Sequence, residues 1–154
     1  MSDLLPVGAK APIFTAPASD GQTYRLADLL KTRHVALVFY PGDDTPGCNR
    51  QLSAARDGMP QFTTRGIQFF GVNPAGLESH ERYVKKFSFN FPLLTDPDRA
   101  IARAYHALKD DGVGIQRSVY VVRRDGTIAF AQRGAPAVEE IVAAVESPPA
   151  GRAS

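Results

Sequence analysis

The chain carries one cysteine, Cys48, in the stretch YPGDDTPGCNRQLSAARD, residues 40–57. Thr45 is a good helix N-cap and Pro46 suits the first helical position, so Cys48 falls at the third. There its own amide lacks a helical partner, and its sulfur lies near the positive end of the helix dipole. Such a setting favours the thiolate, the nucleophilic form of cysteine. The dipole contributes about 0.3–2 kcal/mol, and a nearby guanidinium would add to it. Ionisation is a modest gain by itself, since moving from a few per cent to full ionisation yields about thirtyfold, roughly 2 kcal/mol. A catalyst must also stabilise charge developing on a departing atom, and donors placed for that purpose contribute about 10²–10³ each. The candidates here are the Thr45 hydroxyl, the Cys48 amide and one of several arginines. A lone cysteine is more often a small buried hydrophobe than a nucleophile, and the spacing alone leaves both readings open.

The elements that must hold this stretch alternate between strand and helix. Residues 34–41, HVALVFYP, and 66–73, GIQFFGVN, are continuous apolar runs of the kind buried on both faces of a sheet. Residues 46–58 read as the helix bearing Cys48, closed by Gly58 and Pro60. A second helix spans 77–89, with Glu78, Glu81, Arg82, Lys85 and Lys86 on a charged face. The stretch 91–96, FPLLTD, is a short strand, followed by a helix with Asp96 as N-cap and Pro97 at its first position. SVYVVRRDGTIAFAQRG is a hairpin around Arg124-Asp125-Gly126, and 135–146 forms a last helix. Two short strands around Asp20-Gly21 and a helical turn at 26–30 precede them. The pattern predicts an α/β fold with a central sheet mixing parallel and antiparallel strands. Residues 1–146 are expected to form one domain and 147–154 a disordered tail.

With 154 residues, 44% hydrophobic and 22% charged, the chain has the composition of a globular domain rather than a disordered or membrane-spanning one. A net charge of +2 without a basic block gives no argument for nucleic acid. The start, MSDLLPVGAK, lacks the basic and apolar regions of a secretory signal, and no apolar run is long enough to span a bilayer. A single cysteine and no CxxC exclude an internal disulfide, so a reducing, cytoplasmic setting is expected. His34, His80 and His106 are too dispersed for a metal motif. Asp43 and Asp44 read as solvated turn residues, and Phe87, Phe89 and Phe91 as a packing stripe. Arg56 reads as a structural partner of the active-site loop, and Arg50 as a guide for an anionic reductant.

YPGDDTPGC resembles the active-site loop of the peroxiredoxins, whose signature Pro-x-x-x-Thr-x-x-Cys is met by Pro41, Thr45 and Cys48. The region GVNPAGLESHERYVKKFSFNFPLLTDPDRAIARAY and the strand IQRSVYVVRRDGTI are similar to the Q, or bacterioferritin comigratory protein, subfamily of the AhpC/TSA-like proteins. The likeness runs over roughly residues 6–145. It implies a thioredoxin-like fold and a cofactor-free thiol peroxidase acting in antioxidant defence and redox homeostasis. In that role Cys48 attacks the peroxide, Thr45 hydrogen-bonds peroxide and thiolate, Pro41 shields the pocket, and Arg117 orients the peroxide.

Where the chain departs from this pattern, it departs at the second thiol. Ser53 stands where many Q-type members have a resolving cysteine, residues 77–90 contain none, and Gln51 stands where the commoner pattern has glutamate. The resemblance therefore implies a one-cysteine type whose sulfenic acid is reduced by an external thiol: thioredoxin, glutaredoxin, or a small thiol such as glutathione or mycothiol. Without that reductant, sulfinic acid is the competing fate. The alternative is a redox sensor or chaperone-like protein switched by Cys48 oxidation with little turnover. The sequence leaves monomer and homodimer both open.

Overall fold

The computed structural model describes residues 3–146, so the tail expected at 147–154 lies outside the described residues. A two-stranded antiparallel ribbon, β1 (Thr15–Pro17) and β2 (Thr23–Arg25), leads into the single turn α1 (Leu26–Leu29). The main sheet has five strands in the order β5-β4-β3-β6-β7. Its centre is β3 (His34–Phe39), parallel to β4 (Ile67–Asn73) and antiparallel to β6 (Ser118–Val122). The edges are β5 (Leu93–Thr95), parallel to β4, and β7 (Ile128–Arg133), antiparallel to β6.

Residues alternate across the sheet, which divides the core into two layers. Val35, Leu37, Phe39, Val72, Tyr120 and Val122 pack on one side with Leu26 of α1 and with Ile101 and Ala102. Ala36, Val38, Tyr40, Phe69, Val119 and Val121 pack on the other with Cys48, Leu52, Tyr83 and Ile141. The second layer is roofed by α2 (Pro46–Asp57), α3 (Met59–Thr63), α4 (Leu77–Phe87) and α6 (Val138–Ala143), whereas α5 (Ala100–Ala104) lies in the first. This is the expected α/β architecture, thioredoxin-like in its mixed sheet and flanking helices. No helix among the described residues is long and apolar enough to cross a membrane.

Four local expectations are corrected. Gly58 and Pro60 do not merely stop α2, because Gly58 ends α2 and also precedes α3, with Pro60 in the first turn of that helix. Asp96 does not stand at the N-cap of α5. Its carboxylate reaches across a turn to accept from the amides of Ile101 at 3.1 Å and Ala102 at 2.9 Å, and the helix starts only at Ala100. The last helix begins at Val138 rather than Ala135, since a residue before proline is driven out of the helical region. α4 ends at Phe87 because Ser88 adopts φ 54°, a left-handed stop.

Gly71 is where the sheet allows least room. A Cβ there would lie 2.7 Å from Leu93 Cδ2 and 3.0 Å from Tyr40 Cε1. Gly71→Ala is expected to cost about 1–3 kcal/mol by overpacking, read as a lower urea midpoint at unchanged slope.

Candidate active site

Two features of the sheet bring the chemistry together. β3 delivers the chain through 41–45 into α2, whose third residue is Cys48. β6 runs antiparallel beside β3 with Phe39 opposite Ser118, so the preceding residue, Arg117, lies at the end of β3 where α2 starts. Arg117 shares its parity with Val119 and Val121, which face the layer containing Cys48. Register and parity together aim the guanidinium at the helix N-terminus. Arg117 Nη2 donates to Cys48 Sγ at 3.5 Å, and the cysteine is 0% exposed.

Gly47 makes the approach feasible, since a Cβ there would stand 3.2 Å from Arg117 Nη2. Gln51, one turn beyond Cys48, accepts from Arg117 Nη1 at 2.6 Å and donates to the Gly134 carbonyl at 3.4 Å. The amide oxygen holds the guanidinium in its orientation beside the sulfur. Gln51→Ala removes an acceptor from a charged donor, an interaction contributing about 1.5–3 kcal/mol. A loss of about tenfold or more in the rate of peroxide reaction is expected by stopped flow, with Gln51→Glu retaining most of the rate because it keeps the acceptor.

The other two singled-out residues sit differently. Thr45 is the N-cap by position, but its hydroxyl makes no cap bond. It is exposed and donates to the Gly42 carbonyl at 3.4 Å, and no hydrogen bond joins it to the sulfur among the described residues. Pro41 is exposed at the start of the loop. The structure thus brings Cys48 and Arg117 into contact and leaves Thr45 and Pro41 at the rim.

The loop is not the solvated turn its two aspartates predict. The Asp43 side chain is only 8% exposed and accepts from Tyr40 OH at 2.6 Å and Ser79 Oγ at 2.6 Å, with His80 Nδ1 at 2.7 Å. Burial opposes its ionisation, but the bonds from His80, Ser79 and Tyr40 together hold the carboxyl below the ordinary carboxylate range. Asp44, at φ 56°, is exposed, accepting from Lys86 Nζ at 2.6 Å and Asn49 Nδ2 at 3.1 Å. Asn49 in turn accepts from Tyr83 OH at 2.7 Å. Burial raises the Tyr40 and Tyr83 phenols, and negative charge at Asp43 and Cys48 raises both further.

Sequence reasoning missed Ser79, His80 and Tyr83. The charged positions on α4 drew attention to the solvent face, and the available signal was the polar pair Ser79-His80 on the opposite one. Arg56 also binds elsewhere than expected, donating to the Phe87 carbonyl at 2.6 Å and so tying α2 to the end of α4 rather than to the loop. Phe87, Phe89 and Phe91 form the expected packing stripe, with ring centroids 5.6 and 5.1 Å apart.

Beside Arg117 opens a cavity of about 440 Å³ between α2, the sheet and α6. Val38, Ala55, Phe69 and Ile141 give it an apolar floor, and Gly47, Arg50, Gln51 and Arg117 form its polar end.

Residues 7–131 match the AhpC/TSA family. A putative peroxiredoxin of Mycobacterium tuberculosis is 39% identical over 131 residues, covering 81% of this chain and 83% of its own. The putative peroxiredoxin bcp of Coxiella burnetii is 34% identical over 129 residues, covering 80% and 85%. Among solved structures, the bacterioferritin comigratory protein of Xanthomonas campestris, described with an alkyl peroxide reduction activity, superposes with a TM-score of 0.79 at 26% identity. That match covers 86% of this chain and 90% of the other.

Proposed function

The chain belongs to the AhpC/TSA family and is a peroxiredoxin, a thiol-dependent peroxidase, and we propose that it works by a one-cysteine mechanism at Cys48. The observation that carries the chemistry at Cys48 is the Arg117 guanidinium 3.5 Å from a buried sulfur at the N-terminus of α2. The Cys48 thiolate attacks the terminal oxygen of a hydroperoxide. An S–O bond forms as the O–O bond breaks, Cys48 becomes a sulfenic acid, and the departing alkoxide or hydroxide takes up the proton lost by the thiol. Arg117 stabilises the thiolate and the charge passing to the leaving oxygen, and the free amides of the first helical turn support it. Thr45 and Pro41 act once substrate arrives, the hydroxyl turning from the Gly42 carbonyl to the peroxide and the ring shielding it from water.

Ser53 cannot form a disulfide, and the sequence holds no other thiol. An external thiol therefore displaces water from the sulfenic acid to give a mixed disulfide, and a second thiol releases Cys48. The sum is one peroxide and two thiols converted to one alcohol or water, one water and one disulfide. The apolar floor beside Arg117 supports organic hydroperoxides as substrates alongside hydrogen peroxide, in keeping with the alkyl peroxide activity described for the Xanthomonas relative.

The test is a turnover count. Reduced protein without added thiol is expected to consume one equivalent of peroxide in a fast phase, with only the slower oxidation to sulfinic acid after it, and thioredoxin, glutaredoxin or a small thiol to restore repeated fast turnover. Consumption that stops at one equivalent with every thiol would replace the enzyme cycle with a redox sensor switched by Cys48.

A further inference from the structure

His80 is 0% exposed and lies in the face of α4 turned toward the loop 41–45. Both of its ring nitrogens meet oxygens that accept: Nδ1 is 2.7 Å from Asp43 Oδ2, and Nε2 is 3.1 Å from the Leu94 carbonyl. A neutral imidazole has one N–H and can serve only one of them, whereas the imidazolium serves both. A buried polar pair of this kind is costly to desolvate and persists only where its groups find further hydrogen bonds. Here Asp43 has those bonds from Tyr40 and Ser79.

The position of the pair is what gives it a role. Asp43 belongs to the loop that enters the catalytic helix, and its partner lies 37 residues away on a different element. Farther along the same helix, Tyr83 grips Asn49, the residue after Cys48, and Lys86 grips Asp44. Thus α4 holds the chain on both sides of the sulfur. The two holds on the loop before Cys48 differ in strength, because the Lys86–Asp44 pair is exposed and the His80–Asp43 pair is not. His80 meets Asp43 from the loop and the Leu94 carbonyl from β5, and Ser79 beside it on α4 donates to the same Asp43 oxygen.

We propose that His80 is a positioning residue for Cys48: paired with Asp43, it latches the loop 41–45 and the first turn of α2 in the closed arrangement that sets Cys48 against Arg117. The proposal deepens the peroxidase reading and in part rests on it. Its consequence is a pair of effects with opposite sign. A closed first turn keeps the sulfur beside Arg117, which favours reaction with a small peroxide. The same closure leaves the sulfur fully buried, which denies it to a bulky reagent or reductant.

The experiment compares wild type with His80→Ala, Asp43→Asn, their double variant, and His80→Asn, which keeps a neutral donor toward Asp43. Two rates are measured on reduced protein well below the melting temperature: reaction with one equivalent of hydrogen peroxide, and labelling of Cys48 by N-ethylmaleimide. In His80→Ala and Asp43→Asn, peroxide reaction is expected to slow by about tenfold or more while labelling accelerates by about tenfold or more, the scale of losing a hydrogen bond to a charged group. The double variant should be no worse than the worse single, and His80→Asn should recover part of both rates. Rates unchanged from wild type, rates that fall together, additive effects in the double variant, or labelling that merely follows global unfolding in urea would each overturn the latch. If His80→Ala does not fold, His80→Asn and Asp43→Asn carry the same comparison. Wild type that consumes no peroxide would defeat the peroxidase reading, and the labelling arm would still decide the latch.

Discussion

Cys48→Ser is expected to abolish peroxide consumption, leaving only the rate of buffer, while the protein stays folded. Attack on an O–O bond needs a polarisable anion, and a serine hydroxyl at neutral pH is neither ionised nor soft. Nothing else in the chain can substitute, because Cys48 is the only thiol. The exchange is nearly isosteric, and a hydroxyl at the same place would still receive the Arg117 Nη2–H that now reaches the sulfur. The cost of burying an unpaired hydroxyl, about 1–3 kcal/mol, is therefore largely avoided. Stopped-flow peroxide loss, with circular dichroism as the control for folding, checks both halves. Residual consumption above buffer in the variant would move the chemistry away from Cys48.

Arg117→Ala is expected to slow peroxide reaction by about 10²–10³-fold, the scale of a donor aimed at developing charge. Two contributions combine in that figure. The guanidinium is the side chain in contact with Sγ, so its removal takes a positive charge away from the attacking sulfur, and it also withdraws a donor from the leaving oxygen. Arg117→Lys restores charge but not the two-pronged geometry in which Nη1 meets Gln51 and Nη2 meets the sulfur. It should recover only part of the loss. An Arg117→Ala rate within about twofold of wild type, well short of the range for such donors, would remove the residue from the mechanism.

The contrast between Asp43 and Asp44 shows how little adjacent acidic residues need share. Left-handed φ at Asp44 turns its carboxylate out to Lys86, while Asp43 turns in to Tyr40, Ser79 and His80. Because the Asp43 carboxyl is held below its ordinary value by those bonds against the cost of burial, its contribution to stability is present above the unfolded-state value, near 3.9, and is lost as pH falls through the folded one.

Much of this arrangement was legible in the amino-acid order. Unbroken apolar runs marked β3 and β4 as strands covered on both faces, and Thr45-Pro46 located the start of α2 and hence Cys48 at its third position. Parity alone puts residue 117 on the same face as Val119 and Val121. These are local properties, governed by period, by capping and by the missing amide hydrogen of proline, and a single stretch of chain is enough to determine them. The absence of a second thiol is likewise a property of the sequence alone.

What folding in three dimensions decided is which distant residues meet. The pairing of Phe39 with Ser118 brings Arg117 to the sulfur across 69 positions, and the seating of α4 against the loop makes His80 and Asp43 a buried hydrogen-bonded pair. Strand register and helix seating arise from packing the two core layers as a whole. No local rule distinguishes Asp43 from Asp44 before His80 is in place.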